Sequence, residues 1–250
     1  MIKFHGIQEC RALFEYRRDD IRRVFLLPDL EEHFEHQLNW CSKRGLPVRF
    51  IEFAELSTVA GTEHHEGVCV EAKPLKTLTL KNLIQRLSDM QRACVVVLEN
   101  VENPHNLGAI VRTACFFGVT AVLVKSTHMK SLSGATCRVS EGAAEIVPIC
   151  IASQFGSFFE ALKSRGFSVV ATTPHQARSV YHVRWPDKVI VVFGAEGAGL
   201  SEETLSVADL RVAVPRLGPM ESLNVGTAVA AILTEARREL VLSGTLRKFH

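Results

Sequence analysis

Val189-Ile190-Val191-Val192-Phe193-Gly194-Ala195-Glu196-Gly197-Ala198-Gly199 decides the architecture. An apolar run with no polar face is what a strand shows when helices cover both sides of a parallel sheet. Three glycines then let the backbone turn tightly, and Ser201 stands where it opens the next helix. Working outward, similar runs recur at Cys94–Leu98, Val119–Val124, Ile146–Ile151, Phe167–Thr172 and Leu210–Val214, at the ends of helical stretches. This alternation predicts a three-layer α/β domain with a mostly parallel sheet from Ala93 onward.

Upstream the pattern is shorter and more polar. A helix is expected over Ile7–Tyr16, a strand at Val24–Leu27, a polar helix through Leu30–Lys43, and extended segments at Pro47–Phe53 and Val68–Val70. That is a small α/β unit over residues 1–72. Residues 73–91 read as a linker, Lys-rich and interrupted by Pro74, with a helix over Leu78–Leu87, and 92–250 as the second domain. The 250 residues exceed the usual single-domain size, and no internal repeat is visible.

Composition narrows the class. With 47% hydrophobic and 22% charged residues, the chain can bury a core and is not disordered. A net charge of +2 neither requires nor forbids a polyanion, since phosphate affinity depends on local clusters. Seven scattered cysteines without a CxxC pair fit reduced thiols in a cytoplasmic protein better than disulfides or zinc. No export signal is seen, and no apolar stretch approaches the ~20 residues that span a bilayer.

Ligands of open parallel sheets bind beyond the carboxyl ends of the strands, which singles out three loops. The first, Glu99-Asn100-Val101-Glu102-Asn103-Pro104-His105-Asn106, precedes a helix expected to run from an Asn106 cap through Phe117 to Gly118, with Arg112 on it. If that helix starts at or after Asn106, the asparagine and Arg112 can border one cleft; otherwise six-residue spacing separates them. The second is the glycine loop. Its GxxGxG spacing and the lack of an acidic residue ~20 positions on disfavour a nicotinamide cofactor. Spacing alone leaves a ligand loop around Glu196 and a plain strand-to-helix turn equally open. The third, from Val214 to Ile232, holds two prolines and Gly218, then a small-residue helix beginning near Ser222 or Asn224. A buried helix capped by Ser222 explains its alanines, but not Arg216, Glu221 and Asn224 together at one mouth.

Taken in order, these stretches resemble the three motifs of the SpoU branch of the SPOUT methyltransferases, over roughly Ala93 to Leu240. The N-terminal unit, through His5-Gly6-Ile7 and His65-Glu66-Gly67-Val68, resembles the ribosomal-protein-L30e-like RNA-binding domain often fused to them. The resemblance implies a trefoil knot, a homodimer whose sites draw on both subunits, and S-adenosylmethionine-dependent methylation of an RNA ribose 2′-hydroxyl. Asn106 and Arg112 match the polar pair of motif one, Glu196 the acid of motif two, and Ser222 and Asn224 the polar positions of motif three. The cofactor pocket so implied takes in Thr172, Gly194, Glu196, Gly197, Val214, Leu217, Gly218, Ser222, Leu223 and Asn224. One departure is Gly226, followed by Thr227, where the family commonly has a second serine.

A ribose hydroxyl is a weak nucleophile, so the protein must orient it and assist proton loss. The family often gives the base role to the motif-one arginine, yet a guanidinium stays protonated. Arg112 is then better suited to bind a phosphate and stabilise alkoxide charge, while Asn106 or water relays the proton. Candidate RNA contacts are Arg17, Arg18, Arg22 and Arg23, and Lys125, Lys130 and Arg138 beside Ser126, Ser131 and Ser133. The fused domain tilts the substrate toward ribosomal over transfer RNA. The competing class is a non-catalytic RNA-binding or ribosome-assembly protein that keeps the fold. No metal site is expected: His33 and His36 lack a third ligand, and His64-His65 reads as a polar turn.

Overall fold

The computed structural model describes residues 1–126 and 132–242. They fall into two compact units, 1–76 with 132–146, and 77–126 with 147–242.

In the first unit β1 (Ile2–His5), α1 (Ile7–Tyr16), β2 (Ile21–Leu26), α2 (Glu35–Lys43), β3 (Val48–Phe50), α3 (Phe53–Ala60) and β4 (Val68–Ala72) build a mixed sheet of order β1-β4-β2-β3. β4 runs antiparallel to β1 and β2, while β3 pairs parallel to β2. α1 has the expected bounds because Cys10, Leu13 and Phe14 supply a buried stripe at helical spacing. α2 starts later than the pattern suggests. Pro28, which fixes φ and lacks an amide hydrogen, opens one 3-10 turn, and a second follows over Glu32–Phe34.

The two short motifs of this unit meet. The Gly6 amide donates to the His65 carbonyl at 3.2 Å, and the Ile7 amide to Glu66 Oε2 at 2.9 Å. Gly67, at φ 82°, takes a left-handed conformation that favours glycine. His65 lies fully buried within this turn, which a polar reading of His64-His65 did not anticipate.

The second unit begins with α4 (Leu80–Ser88), capped by the Thr79 hydroxyl, which accepts from the Asn82 amide at 3.2 Å. There follow β5 (Ala93–Glu99), α5 (Pro104–Phe116) and β6 (Ala121–Lys125). The next helices, α6 (Gly134–Ser140) and α7 (Ala143–Ile146), group with the first unit, although the sequence had left them inside 92–250. Contacts between distant residues account for this. Arg17 grips Glu145 through two nitrogens at 2.6 and 2.8 Å, and the Gly142 amide donates to the buried Glu9 Oε2 at 2.8 Å. Ile146 consequently ends a helix, and the strand expected from Ile146 starts at Ile149.

The chain completes the second unit with β7 (Ile149–Ala152), α8 (Gly156–Lys163), β8 (Ser168–Thr172), β9 (Arg178–Ser179), β10 (Lys188–Gly194), α9 (Glu202–Val207), β11 (Leu210–Ala213) and α10 (Val225–Leu242). The sheet order is β7-β6-β5-β10-β8-β11-β9, and every pairing is parallel, so "mostly parallel" becomes entirely parallel. Val95, Val97, Leu123, Ile190 and Val192 pack on Leu83 and Leu87 of α4 and Phe158, Phe159 and Leu162 of α8. The alternate residues point to the other face, where α5 packs on β6, and α10 packs on α5 and β10. Each such buried side chain contributes roughly 1.5–3 kcal/mol of transfer free energy.

Among the described residues no helix is long and apolar enough to cross a membrane, and no cluster of three His, Cys, Asp or Glu is placed to hold a metal ion. All seven cysteines are unpaired, and burial pushes the thiols up, Cys69 to about 12 and Cys150 to about 11.

The site is placed by connectivity. β5 leads through α5 to β6 on one side, while its neighbour β10 leads through α9 to β11 on the other. The chain thus diverges between two adjacent strands, which opens a crevice at their carboxyl ends.

Candidate active site

All three motif loops meet in that crevice. A cavity of about 190 Å³ is lined by Asn100 to Asn103, Asn106, Ala195, Glu196 and Val225.

From the β5 side, Asn103 caps α5, its Oδ1 accepting from the amides of His105 at 2.9 Å and Asn106 at 3.4 Å. This corrects the expected Asn106 cap. Pro104 occupies the first helical position, where a missing amide hydrogen costs nothing, so the cap must precede it. Asn106 is thereby released for other work, and its Oδ1 accepts from Asn224 Nδ2 at 3.1 Å. Because α5 starts before Asn106, that residue and Arg112 lie about 120° apart around the helix and ~9 Å along it. They do not share one face. Arg112 is exposed on α5 and is not among the residues lining the cavity.

From the β10 side, Gly194 ends the strand in register with Glu99. A Cβ on Gly194 would stand 2.2 Å from the Gly199 carbonyl carbon and oxygen, so the loop folds back directly over it. The Gly199 amide closes the loop onto the Ala195 carbonyl at 2.9 Å, with Gly197 and Gly199 at φ 83° and 65°. Glu196 projects from this loop. Its Oε1 accepts from Asn224 Nδ2 at 2.8 Å and from the Val225 amide at 3.2 Å, at the positive end of α10.

From the third loop, Asn224 rather than Ser222 caps α10. Its Oδ1 accepts from the amides of Gly226 at 2.9 Å and Thr227 at 3.4 Å. Ser222 is exposed and precedes the cap, as do Leu217, Gly218 and Leu223, while Val214 is half-buried. Leu217, Met220 and Leu223 leave 100%, 76% and 47% of their surface open, and none of them lines the cavity. At Gly226 a Cβ would stand 3.2 Å from Asn224 Oδ1, so a serine there would press on the cap. Thr172 ends β8 with its hydroxyl donating to the Val192 carbonyl at 2.9 Å.

Sequence reasoning passed over two residues. Asn100 takes a left-handed φ of 59° at the cavity rim, a conformation asparagine tolerates. Glu99 closes β5 and is 1% exposed. Burial pushes its carboxyl up, but the Lys125 ammonium, the Ser201 hydroxyl and amide and Thr204 hold it below the ordinary carboxylate value. An acid ending an otherwise apolar strand was the available signal.

Several candidate RNA contacts spend their charge within the fold. Arg17, 14% exposed, pairs with Glu145 and Asp20. Lys125 holds Glu99 at 2.6 Å, and Arg138 binds the His64 carbonyl at 2.8 Å and Glu66 at 3.3 Å. Arg18 stands over the Trp40 ring, Arg22 donates to the Asp19 carbonyl, and Arg23 lies 4.0 Å from Glu71; all three are exposed. Lys130 and Ser131 lie outside the described residues.

Fold and site define a two-domain α/β protein with a ligand crevice at the switch point of a parallel sheet. Residues 93–234 match the model of the SpoU rRNA Methylase family, and residues 5–78 match that for RNA 2′-O ribose methyltransferase substrate binding. The chain belongs to the SpoU rRNA methylase family, and its two domains are those of an RNA 2′-O-ribose methyltransferase. It is 31% identical over 242 residues to the 23S rRNA (guanosine-2′-O-)-methyltransferase RlmB of Pseudomonas putida, covering 95% of this chain and 96% of that one. It is also 31% identical to the uncharacterized tRNA/rRNA methyltransferase YfiF of Escherichia coli, covering 95% and 68%. Its fold matches the AdoMet-bound rRNA methyltransferase of Sinorhizobium meliloti with a TM-score of 0.76 at 24% identity, covering 96% of this chain and 87% of that chain.

Proposed function

We propose that the chain methylates a ribose 2′-hydroxyl of ribosomal RNA at the Asn106–Glu196–Asn224 crevice, with S-adenosylmethionine as donor, acting as a cytoplasmic homodimer. The observation that carries this reading is the joining of all three loops through one side-chain amide, that of Asn224. The residues fit the cofactor: Gly194 lets the glycine loop fold back and present Glu196 to the crevice, and the loop before Asn224 offers uncovered apolar side chains.

S-adenosylmethionine supplies a methyl group already activated by its sulfonium. Binding and orientation fall to the chain. Glu196 holds Asn224 and the start of α10, which fixes one wall of the crevice. Asn106, restrained by Asn224, orients the nucleophile, and a water beside it or the second oxygen of Glu196 takes the proton. Arg112 binds phosphate or the developing alkoxide. Its distance around α5 from Asn106 favours service to the crevice of a second copy, which is the reason to read the active unit as a dimer. Seven free thiols favour a reducing compartment.

The test is to map ribose methylation in total RNA with and without the gene, alongside calorimetry of purified protein with S-adenosylmethionine. A single ribosomal RNA nucleotide that loses its methyl group is the expected result. Binding of donor and RNA without any lost methylation would instead favour an assembly factor, and loss confined to transfer RNA would move the substrate.

A further inference from the structure

We propose that Glu99 is a positioning residue for methyl-donor binding, because it meets both ends of the loop that presents Glu196, Gly194 through the strand ladder and Ser201 through its carboxylate. The inference rests on the methyl-transfer reading of this crevice and adds to it a residue to which the motif match gives no role.

The argument starts at the strand ends. Lys125, Glu99 and Gly194 close β6, β5 and β10 in one register row, so Glu99 stands between a cation and a bare backbone. With no Cβ on Gly194, the returning chain at Gly199 and Leu200 lies against it. That brings Ser201 within reach. The Ser201 hydroxyl donates to Glu99 Oε1 at 2.7 Å, and the Ser201 amide donates to Oε2 at 3.2 Å. The loop therefore leaves β10 paired with Glu99 and returns bonded to it. Lys125 Nζ, 2.6 Å from Oε1, supplies the charge that lets this carboxylate be buried.

The loop so fastened carries Glu196, which orders Asn224 and the first amide of α10. Glu99 itself is not among the residues lining the cavity, so its action on a ligand runs through the loop. A carboxylate is needed because both Ser201 groups donate. A carboxamide whose oxygen accepts from the Ser201 amide turns its nitrogen toward the Ser201 hydroxyl and the Lys125 ammonium, so the hydroxyl must reverse its bond and the bond from Lys125 is lost.

The test compares wild type, Glu99→Gln and Ser201→Ala by amide hydrogen exchange and by S-adenosylmethionine calorimetry, with steady-state methylation of RNA. Ser201→Ala removes a bond from the loop side, together with the α9 cap on the Thr204 amide, without touching a buried charge, so it stands if Glu99→Gln folds poorly. Expected are roughly tenfold faster exchange confined to residues 199–204 and a roughly tenfold weaker donor Kd, with RNA KM within about twofold. A donor Kd within about twofold of wild type, or faster exchange spread through β5 and β6, would overturn the proposal and leave Glu99 a general fold stabiliser. Should wild type bind no donor, methyl transfer is what fails, and the exchange comparison still decides whether Glu99 holds the loop.

Discussion

The side-chain nitrogen of Asn224 lies 3.1 Å from Asn106 Oδ1, a contact between residues 118 positions apart. The same amide group caps α10 through its oxygen and reaches Glu196 through its nitrogen. Helix initiation and site assembly are thereby assigned to opposite ends of one functional group.

Asn224→Asp separates these two duties. Aspartate caps a helix about as well as asparagine, so the melting temperature should change by only a few degrees. At the other end an oxygen replaces the donor facing Glu196, turning attraction into repulsion. Methyl transfer should fall on the order of 100-fold. Equal activity in the variant, measured by single-turnover methylation, would mean the nitrogen has no part in the site.

His65 links the first unit to pH. The Gly67 amide donates to its Nδ1 at 3.0 Å, so the neutral ring carries its proton on Nε2, 3.1 Å from Ser57 Oγ. Burial lowers its pKa below the ordinary 6.5. A second ring proton would break the bond from Gly67, so the folded state takes up fewer protons than the unfolded one. Stability should be full above about pH 6.5 and decline as pH falls toward the lowered folded value. Nitrogen-resolved NMR should show the Nε2–H tautomer; a ring titrating at or above the ordinary value would refute this.

How far these relationships were legible in sequence depends on their range. α1 and the strands β5, β8 and β10 follow from apolar periodicity, which is a local property. The cap of α5 was misplaced by three residues because Asn106 and Asn103 are both competent caps, and only the helical preference of Pro104 for the first turn chooses between them. β9, two residues long and half exposed, has no apolar pattern to read. The pairing of Arg17 with Glu145 spans 128 residues, and the role of Glu99 depends on strand register. Neither property exists in any window of sequence.

Glu9 should respond to pH in the opposite sense to His65. It is 1% exposed, one oxygen accepts from Gly142, and Oε1 has no partner among the described residues. Burial pushes its pKa up to about 8, aided by Glu145 and opposed by the Gly142 bond and Arg17. The folded state therefore prefers the protonated acid, and stability should be lost as pH rises from about 4.5 through about 8. Glu9→Gln keeps the acceptor for Gly142 and abolishes the charge. It should raise stability by roughly 1–3 kcal/mol at alkaline pH and change it little at acid pH, as read from denaturant melts. An equal effect at both ends of the range would show that ionisation is not the cause.

Gly194→Ala tests whether the crevice needs bare backbone at the end of β10. The added methyl would sit 2.2 Å from Gly199 backbone atoms and 2.8 Å from the Leu200 nitrogen, far inside contact distance. These neighbours are main chain, so no rotamer change relieves the clash, and the loop must open. The strand itself has other anchors, since Val189 to Phe193 pair in register with Cys94 to Leu98. The clash should therefore be relieved at the loop and not by unfolding, displacing Glu196 from Asn224 and α10. Donor affinity should fall at least about tenfold while far-ultraviolet circular dichroism stays that of wild type. Unchanged donor affinity would show that the loop can lift without cost to the crevice, and would remove the glycine loop from the binding site.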